Sequence, residues 1–167
     1  MKTIKINISQ LKKNRGQSLP FSFTVQAEDV LPEEFWSVFS GDVTIAGKVV
    51  NTGTGLLVEG EGSGLVRDVC ARCLQELTVR ITAPFSEKFL PVARQSDENE
   101  FYIYKTGLLD LKELASDVLL LGIPSKSLCA DGCKGLCVVC GGNLNIKDCG
   151  CVVPPDPRLL ALQQCPV

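Results

Sequence analysis

Nine cysteines in a chain of 167 residues, with no histidine at all, define the chemistry open to this protein. Eight fall in close pairs: Cys70 with Cys73, Cys129 with Cys133, Cys137 with Cys140, and Cys149 with Cys151. Cys165 stands alone near the C-terminus. Thiolates are soft ligands, and four of them form the tetrahedral site that zinc prefers. In Cys137-Val138-Val139-Cys140-Gly141 the glycine lets the backbone turn tightly behind the second sulfur. Cys149-Gly150-Cys151 is a compact second pair. Cys70-Ala71-Arg72-Cys73 lies between two β-rich runs. Turn N–H groups there can point at the sulfurs and stabilise their charge.

Eight thiolates suffice for two zinc ions with four cysteines each. The spacing favours Cys137, Cys140, Cys149 and Cys151 on one ion, closed by a loop of eight residues from Gly141 to Asp148. Cys70, Cys73, Cys129 and Cys133 then share the second. Swapped pairings, such as Cys70 and Cys73 with Cys137 and Cys140, and a single zinc with spare thiols stay open.

Other chemistries use the same thiols. Cys133-x-x-x-Cys137-x-x-Cys140 has the spacing that holds a radical-generating iron–sulfur cluster, but those enzymes resemble much longer barrels and usually carry an aromatic residue where Val139 stands. A plain iron–sulfur protein is a further alternative. A thiol redox site at Cys70 and Cys73 needs a strand-to-helix turn, and both flanks here are β-like. The lack of histidine removes every His base and every His-containing metal site. Asp110, Glu113 and Asp117 mimic a carboxylate cluster, but helix capping and solubility explain them. No nucleophile–base pair and no small-molecule site is evident.

Charge bounds the partners. Lys and Arg total 17 against 19 Asp and Glu, a net of -2, which excludes a polycationic nucleic-acid binder. Residues 1–30 carry a net of +3, residues 31–127 a net of -5, and residues 128–167 balance. The start, MKTIKINIS, has no continuous apolar segment of the signal-peptide kind. No apolar run approaches the ~20 residues of a membrane span. A cytoplasmic location without membrane contact is therefore expected, where thiols stay reduced and serve as ligands before they serve as disulfides.

The elements that must carry these cysteines are mostly strands. Residues 3–8 alternate as a half-buried strand, and residues 20–26 place Phe21, Phe23 and Val25 on one face. Leu31-Pro32-Glu33-Glu34 opens a short helix with Phe35, Trp36 and Phe39 inward. Residues 42–50 and 55–67 form a hairpin around Asn51-Thr52-Gly53-Thr54-Gly55. A further run spans 74–91, with Pro84 marking an edge or bulge. Phe101 to Tyr104 is a short strand, packed rather than base-stacking. A helix spans Asp110 to Leu121, with Asp110 as N-cap and Glu113 completing a capping box. Asp156-Pro157-Arg158 opens a last helix. The expectation is an α+β fold: a mainly antiparallel β-sheet with a few helices and a C-terminal cysteine-rich metal knuckle. Residues 1–127 form the β-rich domain, and residues 128–167 the zinc-knuckle segment packed on it.

The motifs C-A-R-C-L at 70–74, C-K-G-L-C-V-V-C-G-G-N-L-N at 133–145, C-G-C at 149–151 and D-P-R-L at 156–159 resemble the YceD family, in the family's order and along essentially the whole chain. The resemblance implies a role in 23S rRNA processing or accumulation and large-subunit maturation, with no established catalysis. Its partner would be 23S rRNA or a large-subunit precursor, reached directly or through a protein partner. The sequence departs at Val138, where the family often has proline. Some members lack the C-terminal cysteines, so metal can support this fold without carrying the shared function.

Four cationic side chains are candidates for RNA or partner contact: Arg72, Lys134, Lys147 and Arg158. Each has an ordinary explanation as well. Arg72 sits between two presumed ligands, Lys134 and Lys147 are loop lysines, and Arg158 can pair with Asp156. The basic stretch Lys2 to Arg15 fits a solvated strand edge. A protein-interaction scaffold without direct RNA contact is the remaining alternative.

Overall fold

The computed structural model describes residues 4–11, 14–92, 102–105, 107–152 and 158. Seven strands and two short helices are described: β1 (Lys5–Asn7), β2 (Ser18–Gln26), α1 (Ala27–Val30), β3 (Asp42–Asn51), β4 (Leu56–Val69), β5 (Glu76–Pro91), β6 (Tyr102–Tyr104), β7 (Leu108–Asp110) and α2 (Lys112–Leu121). The chain divides into two compact units. One comprises Met1–Asp68 with Thr78–Ser125, and the other Val69–Leu77 with Lys126–Val167. The turn carrying Cys70 and Cys73 thus groups with the C-terminal cysteines.

The first unit holds a five-stranded sheet in the order β2-β3-β4-β5-β6 and a two-stranded sheet of β1 and β7. β2, β3 and β4 are antiparallel, with Phe23 opposite Ile45 and Val49 opposite Val58. The β3–β4 turn forms where expected: Thr52 N–H donates to Gly55 O at 3.1 Å, and Gly53 N–H to Asn51 Oδ1 at 2.8 Å. β6 is the exception to the antiparallel pattern, pairing parallel with β5 over Phe89–Pro91. Pro84 lies outside that pairing, on a stretch of β5 with no described strand beyond it. It therefore removes no ladder bond on that side.

Alternation fixes the core. Val43, Ile45, Val49, Val58, Val66 and Phe89 are buried from the sheet, and Ile4, Ile6 and Ile8 from the N-terminal segment. α2 adds Leu114, Ala115, Val118 and Leu119, at the 3.6-residue spacing of one helix face. It seats over Gly62, where an added Cβ would lie 2.8 Å from Val118 and 2.9 Å from Ile45.

Three local expectations change. The helix expected at Leu31 is only a 3-10 turn over Glu33–Phe35, preceded by the single turn α1. Phe39 is buried, but Trp36 stays half-exposed with its indole N–H bonded to Leu31 O at 3.0 Å. α2 starts at Lys112 with Leu111 at the cap position and no side-chain cap, so Asp110 is not its N-cap and no capping box forms. Asp110 instead ends β7, accepts the Lys112 N–H at 3.0 Å and lies 3.5 Å from the Lys5 ammonium. Lys5 is also its partner across the two-stranded sheet. The helix expected from Asp156 and the residue Cys165 lie outside the described residues, apart from Arg158.

Candidate metal centres

The second unit is built from two turns of the same design. In the first, Leu74 N–H donates to Cys70 O at 2.9 Å and Cys70 N–H to Gln75 O at 2.8 Å. In the second, Gly141 N–H donates to Cys137 O at 2.8 Å and Cys137 N–H to Gly142 O at 2.8 Å. The residue after the second cysteine is left-handed in both, at φ 59° for Leu74 and 71° for Gly141. That conformation reverses the chain so both sulfurs of a C-x-x-C face one point. Glycine adopts it freely, whereas leucine costs roughly 1 kcal/mol.

The structure gathers the eight paired cysteines into two groups: Cys70, Cys73, Cys129 and Cys133, and Cys137, Cys140, Cys149 and Cys151. Within each group all sulfurs lie within 4.8 Å of one another. This is the grouping that the spacing favoured. Cys70 and Cys133 are 3.8 Å apart, and Cys73 and Cys129 are 3.6 Å apart. Disulfide sulfurs would sit at about 2.05 Å. A tetrahedron with metal–sulfur bonds of about 2.3 Å has edges of about 3.8 Å. The separations therefore suit one ion per group, whereas a cluster spreads its cysteines over several irons. Each group can hold a metal ion.

Electrostatics point the same way. Backbone N–H groups of Cys73, Arg72 and Cys129 lower the Cys70 thiol to about 6. N–H groups of Cys140 and Val139 do the same for Cys137, also to about 6. Burial opposes ionisation of Cys133, but the Asn145 amide and the Gly135 N–H outweigh it and lower its pKa. The neighbours go the other way. Cys129 is pushed up to about 12 by its bonds to Cys133 and Cys73, and Cys151 to about 12 by Cys149 and Cys140. The Gln75 N–H favours a thiolate at Cys73, yet burial and the Cys70 sulfur raise it. The Cys151 N–H favours a thiolate at Cys149, yet the Cys137 sulfur raises it. Sulfurs this close cannot all ionise without a cation among them, and a divalent ion removes that conflict.

The cationic candidates divide. Arg72 reaches across its group, donating to Cys133 O at 3.0 Å and to Asp131 O at 3.4 Å. Its own carbonyl accepts the Leu136 N–H at 3.1 Å. Arg72 thus braces the Asp131–Cys133 loop against the first turn. Lys134, Lys147 and Arg158 are exposed. Asp117 accepts the Tyr102 hydroxyl at 2.6 Å, and burial together with this bond raises the Tyr102 pKa. The acidic residues of α2 form no metal-holding group among the described residues.

Sequence reading missed Asn145. Its amide donates to Cys133 Sγ at 3.3 Å and to Asn143 Oδ1 at 2.9 Å, and its oxygen accepts the Lys134 N–H at 2.8 Å. The available signal was its place in N-L-N, inside the loop between Cys140 and Cys149.

A sequence profile described as "Large ribosomal RNA subunit accumulation protein YceD" matches residues 58–164. The chain belongs to the YceD family. All eight paired cysteines fall inside the matched span. The YceD name refers to accumulation of the large ribosomal RNA subunit. Among curated proteins the chain is similar to uncharacterized proteins of Mycobacterium tuberculosis (strain H37Rv) and Mycobacterium bovis. Each is 24% identical over 143 residues, covering 81% of this chain and 68% of the relative. No solved structure matches. No helix among the described residues is long and apolar enough to cross a membrane.

Proposed function

We propose that this protein is a non-enzymatic cytoplasmic factor that supports 23S rRNA processing and accumulation during large-subunit maturation, with two structural zinc ions held by its cysteine groups. The observation that carries the reading is the YceD match over 58–164, whose description names large ribosomal RNA accumulation. The partner is 23S rRNA or a large-subunit precursor, engaged directly or through a protein.

The donor sets support the absence of catalysis at the metal. Four thiolates close a tetrahedral ion and leave no position for water or substrate. Bound zinc supplies a fixed divalent charge that lets four thiolates coexist. The chain does the rest: turn N–H groups hold Cys70 and Cys137 ready to bind, Arg72 braces the Cys133 loop, and the long strands β4 and β5 carry the first turn. Zinc is favoured over other ions by the all-sulfur, four-coordinate geometry.

The test is genetic. Cells lacking the gene should accumulate 23S precursor and lose 50S subunits, and the wild-type gene should restore both. In-cell crosslinking to RNA then separates the two routes of engagement. Abundant 23S crosslinks mean direct contact, and their absence beside an rRNA defect means a protein intermediary. Normal 23S levels in the deletion strain overturn the proposal.

A further inference from the structure

The two cysteine groups follow one another in sequence, four residues apart at Cys133 and Cys137, and are joined in space. The loop that closes the second group, between Cys140 and Cys149, does not simply connect two ligands. It lies along the strip that carries Cys133, the last ligand of the first group. Leu144 N–H donates to Gly135 O at 2.9 Å, and Leu136 bridges to Asn143. Asn145 then makes a side-chain contact from this loop to a sulfur of the other group, 3.3 Å from Cys133 Sγ.

Its orientation is fixed. The Lys134 N–H can only donate, so it selects the Asn145 oxygen, at 2.8 Å. Both amide hydrogens are left for Cys133 Sγ and Asn143 Oδ1. The Asn145 backbone N–H donates to that same Asn143 oxygen at 2.9 Å. The amide therefore has a partner at every polar position the contact requires.

We propose that the two centres load as a coupled pair and that Asn145 is the positioning residue that couples them. This rests on the reading of both groups as metal sites. An ion in the second group joins Cys140 to Cys149 and fixes the intervening loop. The fixed loop presents the Asn145 amide to Cys133 and stabilises its thiolate, so the first group binds more tightly. Thermodynamic linkage makes the effect reciprocal. The physical consequence is a module that is full or empty, with the half-loaded form suppressed.

Native mass spectrometry of the full chain, titrated with zinc under reducing conditions, tests this. The wild-type protein should show empty and doubly loaded species, with the singly loaded form below its statistical share. C149S/C151S should weaken the first site about tenfold, within the usual range of coupling between sites. N145D keeps the shape but removes the donor, and the singly loaded form should rise to its statistical share. In the N145D background, C149S/C151S should weaken the first site no further.

A spectroscopic readout separates positioning from loss of fold. In cobalt-substituted N145D the sulfur-to-metal charge-transfer band should move to lower energy, because Cys133 loses a hydrogen bond that draws charge from sulfur. N145A serves the same comparison without an added carboxylate. A statistical distribution in the wild-type protein, or an unchanged charge-transfer band in both variants, overturns the proposal. A chain that takes up no metal overturns the metal reading itself and the coupling with it. The rRNA phenotype is read separately, so either conclusion can fail alone.

Discussion

The two cysteine turns share a backbone and differ in what holds them. The first, Cys70 to Gln75, is continuous with two long strands: β4 ends at Val69 and β5 begins at Glu76. Three of the four sulfurs in its group belong to buried residues. The second, Cys137 to Gly142, lies in a stretch with no helix or strand, and three of its four cysteines are exposed. One turn is therefore flanked by strands, and the other is held by its own backbone hydrogen bonds and, in the proposed reading, by an ion. The residue behind each turn agrees. The strand-anchored turn tolerates Leu74 at φ 59°, while the unsupported one has Gly141 at φ 71°.

The largest predicted difference follows from removing metal. Structural zinc contributes on the order of 10 kcal/mol in small modules. Chelation at neutral pH should abolish amide protection across 126–152 and leave the five-stranded sheet protected, as read by hydrogen exchange. Persistent protection across 126–152 would show that the ion is not what shapes this stretch.

Acid should act next. In each group two thiols are raised, Cys73 with Cys129 and Cys149 with Cys151, and each must lose a proton to bind an ion. Metal affinity therefore falls as pH falls. At least two protons released per ion give about a hundredfold loss or more between pH 7 and 6. Cys70 and Cys137, lowered to about 6, add to the slope below that pH. A pH-independent affinity, measured by competition with a chelating dye, contradicts the assignment of these thiols as ligands.

Single ligand changes sharpen the contrast in burial. C133S and C151S should each lower the metal content. C133S should also cost an additional ~1–3 kcal/mol in thermal denaturation, because its hydroxyl replaces a buried ligand with a poor partner. Equal losses would mean that the two environments do not differ as described.

The smallest effect concerns the left-handed residues. G141A should destabilise the second turn by about 1 kcal/mol. L74G should leave the first turn unharmed or slightly stabilised, because the Leu74 side chain is 64% exposed and its removal relieves strain. Both are readable as shifts in zinc-release rate. A loss of comparable size in L74G would mean that the leucine does more than occupy the turn.

Much of this was legible in sequence because it is local. Strand alternation is a two-residue pattern, and it located β1 to β5 and the Asn51–Gly55 turn. C-x-x-C spacing is local as well, and it favoured the grouping of the eight cysteines, while the choice against swapped pairings needed the fold. What escaped was decided by distant partners. β7 is three residues long and exists through its pairing with β1, about a hundred residues earlier. Asp110 belongs to that pairing, and Leu111 rather than Asp110 holds the cap position of α2. The sequence places Arg72 between two ligands without showing its partners, and its carbonyl acceptors lie about sixty residues away. Asn145 looked like a loop residue, and only the folded loop places it against Cys133.

Each of the two four-cysteine groups of this YceD-family chain can hold one ion. The most direct test is the metal content and visible spectrum of anaerobically purified full-length protein. The account predicts two zinc ions per chain and no visible absorbance. One ion per chain, or iron with a brown chromophore, would contradict it.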